Sequence, residues 1–388
     1  MSKSLEVTVA PKVLEWARKG VGMEDIDKVA KRVGATPDIV RNWELGEKKP
    51  TLIQLEKLAH IYKRPLAALF LSSPPQELPL PSDFRTLPDD KKMPLTSKTL
   101  LAIRRARRAQ SLFVELSDSI GNKVITKIGL ANLSDSPEDI ADKIRRQLGI
   151  SIQTQFNWQN ERDAFDEWKE RLENLGILVF QMTIPLKEVR GFSIVEGKIP
   201  VAVVSSSDTI NGRIFSLFHE YGHILLNKSG ICDMGDTDNL SGDSKKTEIF
   251  CNYFSGAFLV PKEALLNHRL VNSGKYYSDW PDEILNHLAR EFKVSVQVIL
   301  RRLTILRKAD LNLYKRKHEE WSKKEYPKGS GGKRNPPKEC IRNNGIPFVS
   351  VVLDAQHKEK ITYKDMSDYL GIKLKHLSKI EQIIRDKG

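Results

Sequence analysis

The stretch from Arg213 to Gly230, RIFSLFHEYGHILLNKSG, holds His219, Glu220 and His223 in an H-E-x-x-H pattern. Residues four apart lie on one helical face, so the two imidazoles would stand side by side and could share one Zn²⁺ ion. Glu220 sits next to the pair, where it could hold a metal-bound water. At about 100° per residue, Ile214, Leu217, Phe218, Tyr221, Ile224 and Leu225 fall on one side of this helix. Ser216, His219, Glu220, His223 and Asn227 fall on the other. This is an amphipathic helix whose polar face is made of ligands.

A zinc hydrolase needs three protein ligands and one open position. Glu248 is the leading candidate for the third, in the segment KKTEIFCNYFSGAFLVP. That segment reads as a second helix, with Phe250, Tyr253, Phe254 and Ala257 on one face and Glu248, Asn252, Ser255 and Gly256 on the other. The small residues there would let two helices approach closely, and Asn252 could orient the Glu248 carboxylate. Cys232, Asp233, Asp236 and Asp238 in the connecting loop remain rivals. A thiolate would bind zinc well, but three ligands plus a cysteine would close the site.

HEYGHILLNKSG followed by EIFCNYFSGAFLVP resembles the ImmA/IrrE family of metallo-endopeptidases. Cys251 stands where the family shows Ala, and Ser255-Gly256 replaces the Ala after Phe254, both small-for-small changes. The resemblance implies His219, His223 and Glu248 as zinc ligands, with one Zn²⁺ per chain, and Glu220 as catalytic base.

The whole chain has 388 residues, which suggests two or three domains of about 100–200 residues each. An apolar fraction of 40% is enough for real cores, and a net charge of +13 favours an anionic partner such as nucleic acid. Three cysteines at wide spacing argue against a disulfide framework. No signal peptide opens the chain and no apolar run approaches about 18 residues, so a cytoplasmic setting without membrane contact is expected.

The expected fold class is α+β and mainly helical. Residues 1–72 are predicted to form an N-terminal five-helix-type helix-turn-helix domain. Thr36 and Pro37 sit at N-cap and N1 of one helix and Gly46 ends it. The run VAKRVGATPDIVRNWELGEKKPTLIQLEKLA closely resembles the Cro/cI-type (XRE) DNA-binding family, in which W-E-x-G is followed by a Pro; Trp43, Glu44, Gly46 and Pro50 match. The resemblance makes residues 37–45 the recognition helix. Thr36, Asp38, Arg41 and Asn42 could then meet base edges, and Lys48 and Lys49 phosphates. Asp38 works against phosphate.

Residues 73–96 are a Pro-rich, extended connector in which Phe84 and Arg85 could dock on a neighbouring domain. Its LP-x-DFR pattern is similar to the run joining the two domains in ImmA/IrrE-like proteins with an XRE unit. Residues 97–327 are expected to form a zincin-like domain with a small β-sheet and the H-E-x-x-H helix. It opens on a long helix from Ser97 carrying Arg104, Arg105, Arg107 and Arg108, either a phosphate grip or a solvated face. Segments 177–182, 191–195 and 199–204 read as strands, and residues 199–205 are expected to border the cleft as an edge strand that could hold extended substrate. The loop 228–246 reads as a lid. His268 and His287 are assigned to packing or surface. Residues 326–338 read as a flexible boundary, and 328–388 as a small helical extension with no nameable chemistry.

Together these features predict a zinc-dependent endopeptidase fused to a DNA-binding domain. The resemblance implies that its protein substrate is an XRE-type repressor controlling stress-response or mobile-element genes. Expected partners are that repressor, a DNA operator at the N-terminal domain, and a second copy of the chain as a homodimer. The alternatives are a transcriptional regulator whose peptidase-like domain senses a ligand, and a toxin–antitoxin component.

Overall fold

The computed structural model describes residues 5–83, 95–232, 242–272, 278–322 and 334–386. The chain divides into two units: Met1–Leu80 with Lys92–Arg105, and Pro81–Lys91 with Ala106–Gly388.

The first unit holds helices α1 (Pro11–Lys19), α2 (Ile26–Val33), α3 (Pro37–Leu45) and α4 (Leu52–Ile61), then a 3-10 turn at Leu66–Phe70. Local chemistry sets their ends. The Thr36 hydroxyl accepts from Ile39 N, Thr51 and Gln54 form a capping box, and Gly34 and Gly46 close α2 and α3 in the left-handed region at φ 81° and 82°. Val13, Val29, Val33, Trp43, Leu55 and Leu58 are among the buried core. Arg18 on α1 reaches Glu44 on α3 through two bonds of 2.8 and 2.9 Å and donates to the carbonyls of Met23 and Glu24. This part-buried fork fixes α3 against α1.

Helix α5 (Ser97–Ser119) starts in this unit. Arg104 donates to Lys63 O at 2.9 Å, and burial brings its pKa down to about 10. Arg104 and Arg107 are half-buried while Arg105 and Arg108 are exposed, so the arginine run does not present one face. Phe84 and Arg85 lie outside the described residues.

In the second unit, α6 (Pro137–Leu148), α7 (Ile152–Asn157) and α8 (Glu161–Asn174) precede most of the sheet. Strands β1 (Ser82–Asp83), β2 (Leu178–Met182), β3 (Gly191–Ile194), β4 (Val201–Ser205) and β5 (Gly230–Cys232) lie in the order β1-β5-β3-β4-β2. Strand β3 runs antiparallel to β4 and β5, whereas β2–β4 and β1–β5 are parallel pairs. Two expectations change here. Strand β4 is bonded on both flanks, so it has no free side for substrate, and the supposed lid 228–246 contains β5 and the start of a helix. Residues 233–241 of that loop lie outside the described residues.

Helix α9 (Ile210–Leu225) packs on β3 and β4, and α10 (Gly242–Leu259) packs on α9 and α6. The core between them centres on aromatic rings. Phe218 stacks on Phe258 at 4.1 Å, and Trp168 meets both at 5.2 Å. Helices α11 (Lys262–Leu266), α12 (Arg269–Asn272), α13 (Asp282–Phe292), α14 (Val296–Ile305) and α15 (Leu311–Ser322) follow.

The last four helices are α16 (Pro336–Asn344), α17 (Ile346–His357), α18 (Tyr363–Leu370) and α19 (Leu377–Arg385). The boundary expected to reach residue 338 ends sooner, because Asn335 caps α16 and Pro336 fits its first turn. Helix α16 packs on β2, where Lys169 Nζ and Gln181 Nε2 both donate to Arg342 O. Gly345 precedes α17 at φ 81°, and a Cβ there would collide with the Glu173 carboxyl. Among the described residues no helix is long and apolar enough to cross a membrane.

Candidate metal centre

Helix α9 starts at Thr209, whose hydroxyl accepts from Gly212 N. Its four-residue spacing brings His219 and His223 together, with Nε2 atoms 3.2 Å apart. Helix α10 then passes close to α9 at Gly222. A Cβ on Gly222 would lie 3.1 Å from Cys251 Sγ and 3.2 Å from Cys251 Cα. The tight contact is therefore Gly222 on Cys251, whereas Gly256, expected to allow it, has nothing nearer than Arg302 Cδ at 4.0 Å. This approach delivers Glu248, with Oε2 3.2 Å from His219 Nε2 and Oε1 2.9 Å from His223 Nε2.

A fourth donor arrives from the sheet. Cys232 on β5 is the cross-strand partner of Gly191 on β3, and such partners share a face. Its Sγ lies 3.1 Å from His223 Nε2 and 3.5 Å from Glu248 Oε1. The four ligand atoms of His219, His223, Cys232 and Glu248 all fall within 4.8 Å of one another, and all four residues are buried. Two imidazoles, a carboxylate and a thiol form a set suited to a borderline-soft divalent ion.

Glu220 rests on the strand beside this cluster. A Cβ on Gly191 would lie 2.8 Å from Glu220 Oε1, so only glycine leaves room for the carboxylate. The side chain is fully buried and neither oxygen makes a well-formed hydrogen bond. Burial, reinforced by Glu248, pushes its pKa up to about 8; His219, the Ser193 hydroxyl and the Cys232 thiol offset only part of this. Burial also works against charge on the other groups. It lowers His223 and raises Cys232 well above a free thiol, whereas at Glu248 the two imidazoles outweigh it and hold the carboxyl below its usual range. At His219 burial is outweighed by Glu248, and the imidazole is raised.

Asn252 Oδ1 lies 3.1 Å from His219 Nδ1. With Nε2 facing the cluster, Nδ1 carries the proton and donates to Asn252. Asn252 thus orients the imidazole, not the Glu248 carboxylate as the sequence suggested. Of the rival ligands, Asp233, Asp236 and Asp238 lie outside the described residues. His268 and His287 stay apart from the cluster and face Glu291 at 3.1 and 3.4 Å. Tyr221 is buried in the apolar core.

The N-terminal candidates run along α3, from its N-cap at Thr36 to Lys48 and Lys49 past its C-cap at Gly46. Thr36 is committed to its cap, Arg41 pairs with exposed Asp38 at 2.8 Å, and the Asn42 amide, suitably turned, donates to Asp38 O and Glu47 Oε2. Lys48 and Lys49 are exposed just beyond the helix.

The sequence named Cys232 only as a rival to Glu248, and the structure presents it in addition. Its signal was the apolar triplet Gly230-Ile231-Cys232 shortly after the ligand helix, short for a strand but apolar enough to join a buried sheet. No curated protein and no solved structure matches the chain. Residues 172–304, which contain all four cluster residues, Glu220 and Asn252, match the family model of the IrrE N-terminal-like domain, a peptidase domain.

Proposed function

We propose that the protein is a zinc-dependent endopeptidase joined to a DNA-binding unit, and that it cleaves a repressor of the XRE type. The observation that carries this reading is Glu220: a fully buried carboxylate without a well-formed hydrogen bond, set against a cluster of metal-ligand side chains. Such a group is costly to keep unless its chemistry is used. His219, His223 and Glu248 would hold the ion, and Asn252 would fix the His219 tautomer. A zinc ion held there supplies Lewis acidity and makes water a competent nucleophile near neutral pH. Glu220 takes the proton of the attacking water on a carboxylate oxygen and hands it to the leaving amine.

For the first unit, the α2–α3 pair with exposed Arg41, Lys48 and Lys49 supports operator binding. The exposed Arg41–Asp38 pair contributes at most about 1 kcal/mol, so Arg41 can exchange it for a DNA contact. Control of stress-response or mobile-element genes, and assembly as a homodimer, extend the same reading.

The test is direct. Zinc-loaded protein is incubated with the XRE-type repressor encoded beside it, in parallel with Glu220→Gln. Cleavage that depends on Glu220 is expected, from wild type or from Cys232→Ala, in which the fourth donor is gone. A repressor left intact by both wild type and Cys232→Ala removes the proposal. One observation favours a second reading, a regulator that senses without cutting: the fourth donor, Cys232, which would fill the position hydrolysis requires.

A further inference from the structure

Resting on the peptidase reading, we infer that Cys232 is a fourth protein ligand that closes the metal centre, so the enzyme folds in a latent form. Three observations converge. Cys232 Sγ stands among the other donors, 3.1 Å from His223 Nε2 and 3.5 Å from Glu248 Oε1. Its position is set by the sheet, because β5 is paired on both flanks, with β3 and β1. The same face of β3 leaves space at Gly191 for Glu220.

Four protein ligands are the mark of a structural zinc site, and an open position is the mark of a catalytic one. Here both features meet. A purely structural site has no use for a buried carboxylate beside the metal, and Glu220 is such a group. A purely catalytic site has no use for a fourth donor on a strand held at both edges. The combination describes a centre complete for hydrolysis except that sulfur occupies the place of the nucleophile. Displacing that sulfur, with no other change in the ligand set, would open the site. Cys251 is also buried nearby, but its sulfur packs at Gly222 and is not among the converging donors.

The full chain, stripped of metal, is loaded anaerobically with Co²⁺, and its absorption is compared with Cys232→Ala and Cys251→Ala. A near-ultraviolet sulfur-to-cobalt charge-transfer band is expected in wild type and in Cys251→Ala. In Cys232→Ala cobalt should still bind, roughly tenfold or more weakly, with the band gone. Acetohydroxamate, a small chelating probe, is then titrated in. The visible cobalt bands of Cys232→Ala should shift at concentrations that leave wild type unchanged.

Cobalt bound by wild type without the band overturns the thiolate ligand and leaves the peptidase reading standing. A band that survives in Cys232→Ala overturns it as well. Equal response of wild type and variant to acetohydroxamate overturns latency. A wild-type chain that takes up no cobalt removes the metal centre, and both readings fall together. The wild-type spectrum alone decides the ligand if the alanine variant does not fold.

Discussion

Replacing Gly222 with Ala should separate metal binding from stability. The added Cβ would meet Cys251 Sγ at 3.1 Å and Cys251 Cα and Cβ at 3.2 Å. Those distances are a few tenths of an ångström too short, and one neighbour is backbone, so α9 and α10 must part slightly. Overpacking of this kind costs about 1–3 kcal/mol. Alanine in a helix interior returns about 1 kcal/mol of propensity over glycine. The net loss of stability is therefore small, about 0–2 kcal/mol. The metal centre feels the change more, because His219 and His223 ride on α9 and Glu248 on α10. Ligand distances tolerate only about 0.2 Å, so zinc affinity should drop by about tenfold or more, and each tenfold corresponds to about 1.4 kcal/mol. Competition with a chromophoric chelator reads the affinity and urea unfolding the stability. Gly256→Ala is the control. Its nearest neighbour would be Arg302 Cδ at 4.0 Å, so the same substitution on α10 should stabilise by up to about 1 kcal/mol and leave zinc binding alone. If Gly222→Ala binds zinc as tightly as Gly256→Ala, the close helix contact does not set the ligand geometry.

Further outcomes follow from single groups. In metal-free protein the Glu220 carboxyl is raised from 4.5 to about 8. A raised carboxyl supports the fold below its unfolded value and loses that support as pH rises through the folded one. At about 1.4 kcal/mol per unit, chelated wild type should lose a few kcal/mol between those values relative to Glu220→Gln; parallel urea midpoints for the two proteins would contradict the burial argument. Asn252→Ala should weaken zinc binding by about 10–100-fold with little loss of fold, and unchanged affinity would show that His219 needs no such orientation. Arg18→Met leaves the partly buried Glu44 without its partner and should cost about 1–3 kcal/mol. Arg18→Met with Glu44→Met should recover much of that in thermal unfolding, since a buried pair is often no better than apolar packing.

The ligand helix and most caps were legible because they depend on neighbours a few residues apart. His219 and His223 need only a four-residue repeat, and Thr36-Pro37 and Ser136-Pro137 carry their own start signals. Glu248 was within reach because helical spacing places it with Asn252, Ser255 and Gly256, away from Phe250, Phe254 and Ala257. What could not be read depends on how distant segments meet. Cys232 joins the cluster through its register with Gly191, set by a strand of three residues that no periodicity can reveal. The role of Asn252 depends on the rotation of α10 about its axis. Strand β4 was taken for an edge because its apolar run is the same whether one flank or both are bonded. Helix α16 hid behind the Gly- and Pro-rich text before it, although Asn335-Pro336 is itself a start signal.

Strand β2 ends the sheet on one side, and the outer rim of a sheet is an invitation to foreign chains. In this protein the rim is occupied from within: Gly345 sits so near Val179 O that an added Cβ would lie 3.2 Å away, and Phe348 meets Phe180 edge-on at 5.8 Å. The C-terminal helices therefore have a task even without chemistry of their own. They act as a selvedge, and a version of the protein shortened before Asn335 would fray there, self-associating through β2 before its metal site was ever lost.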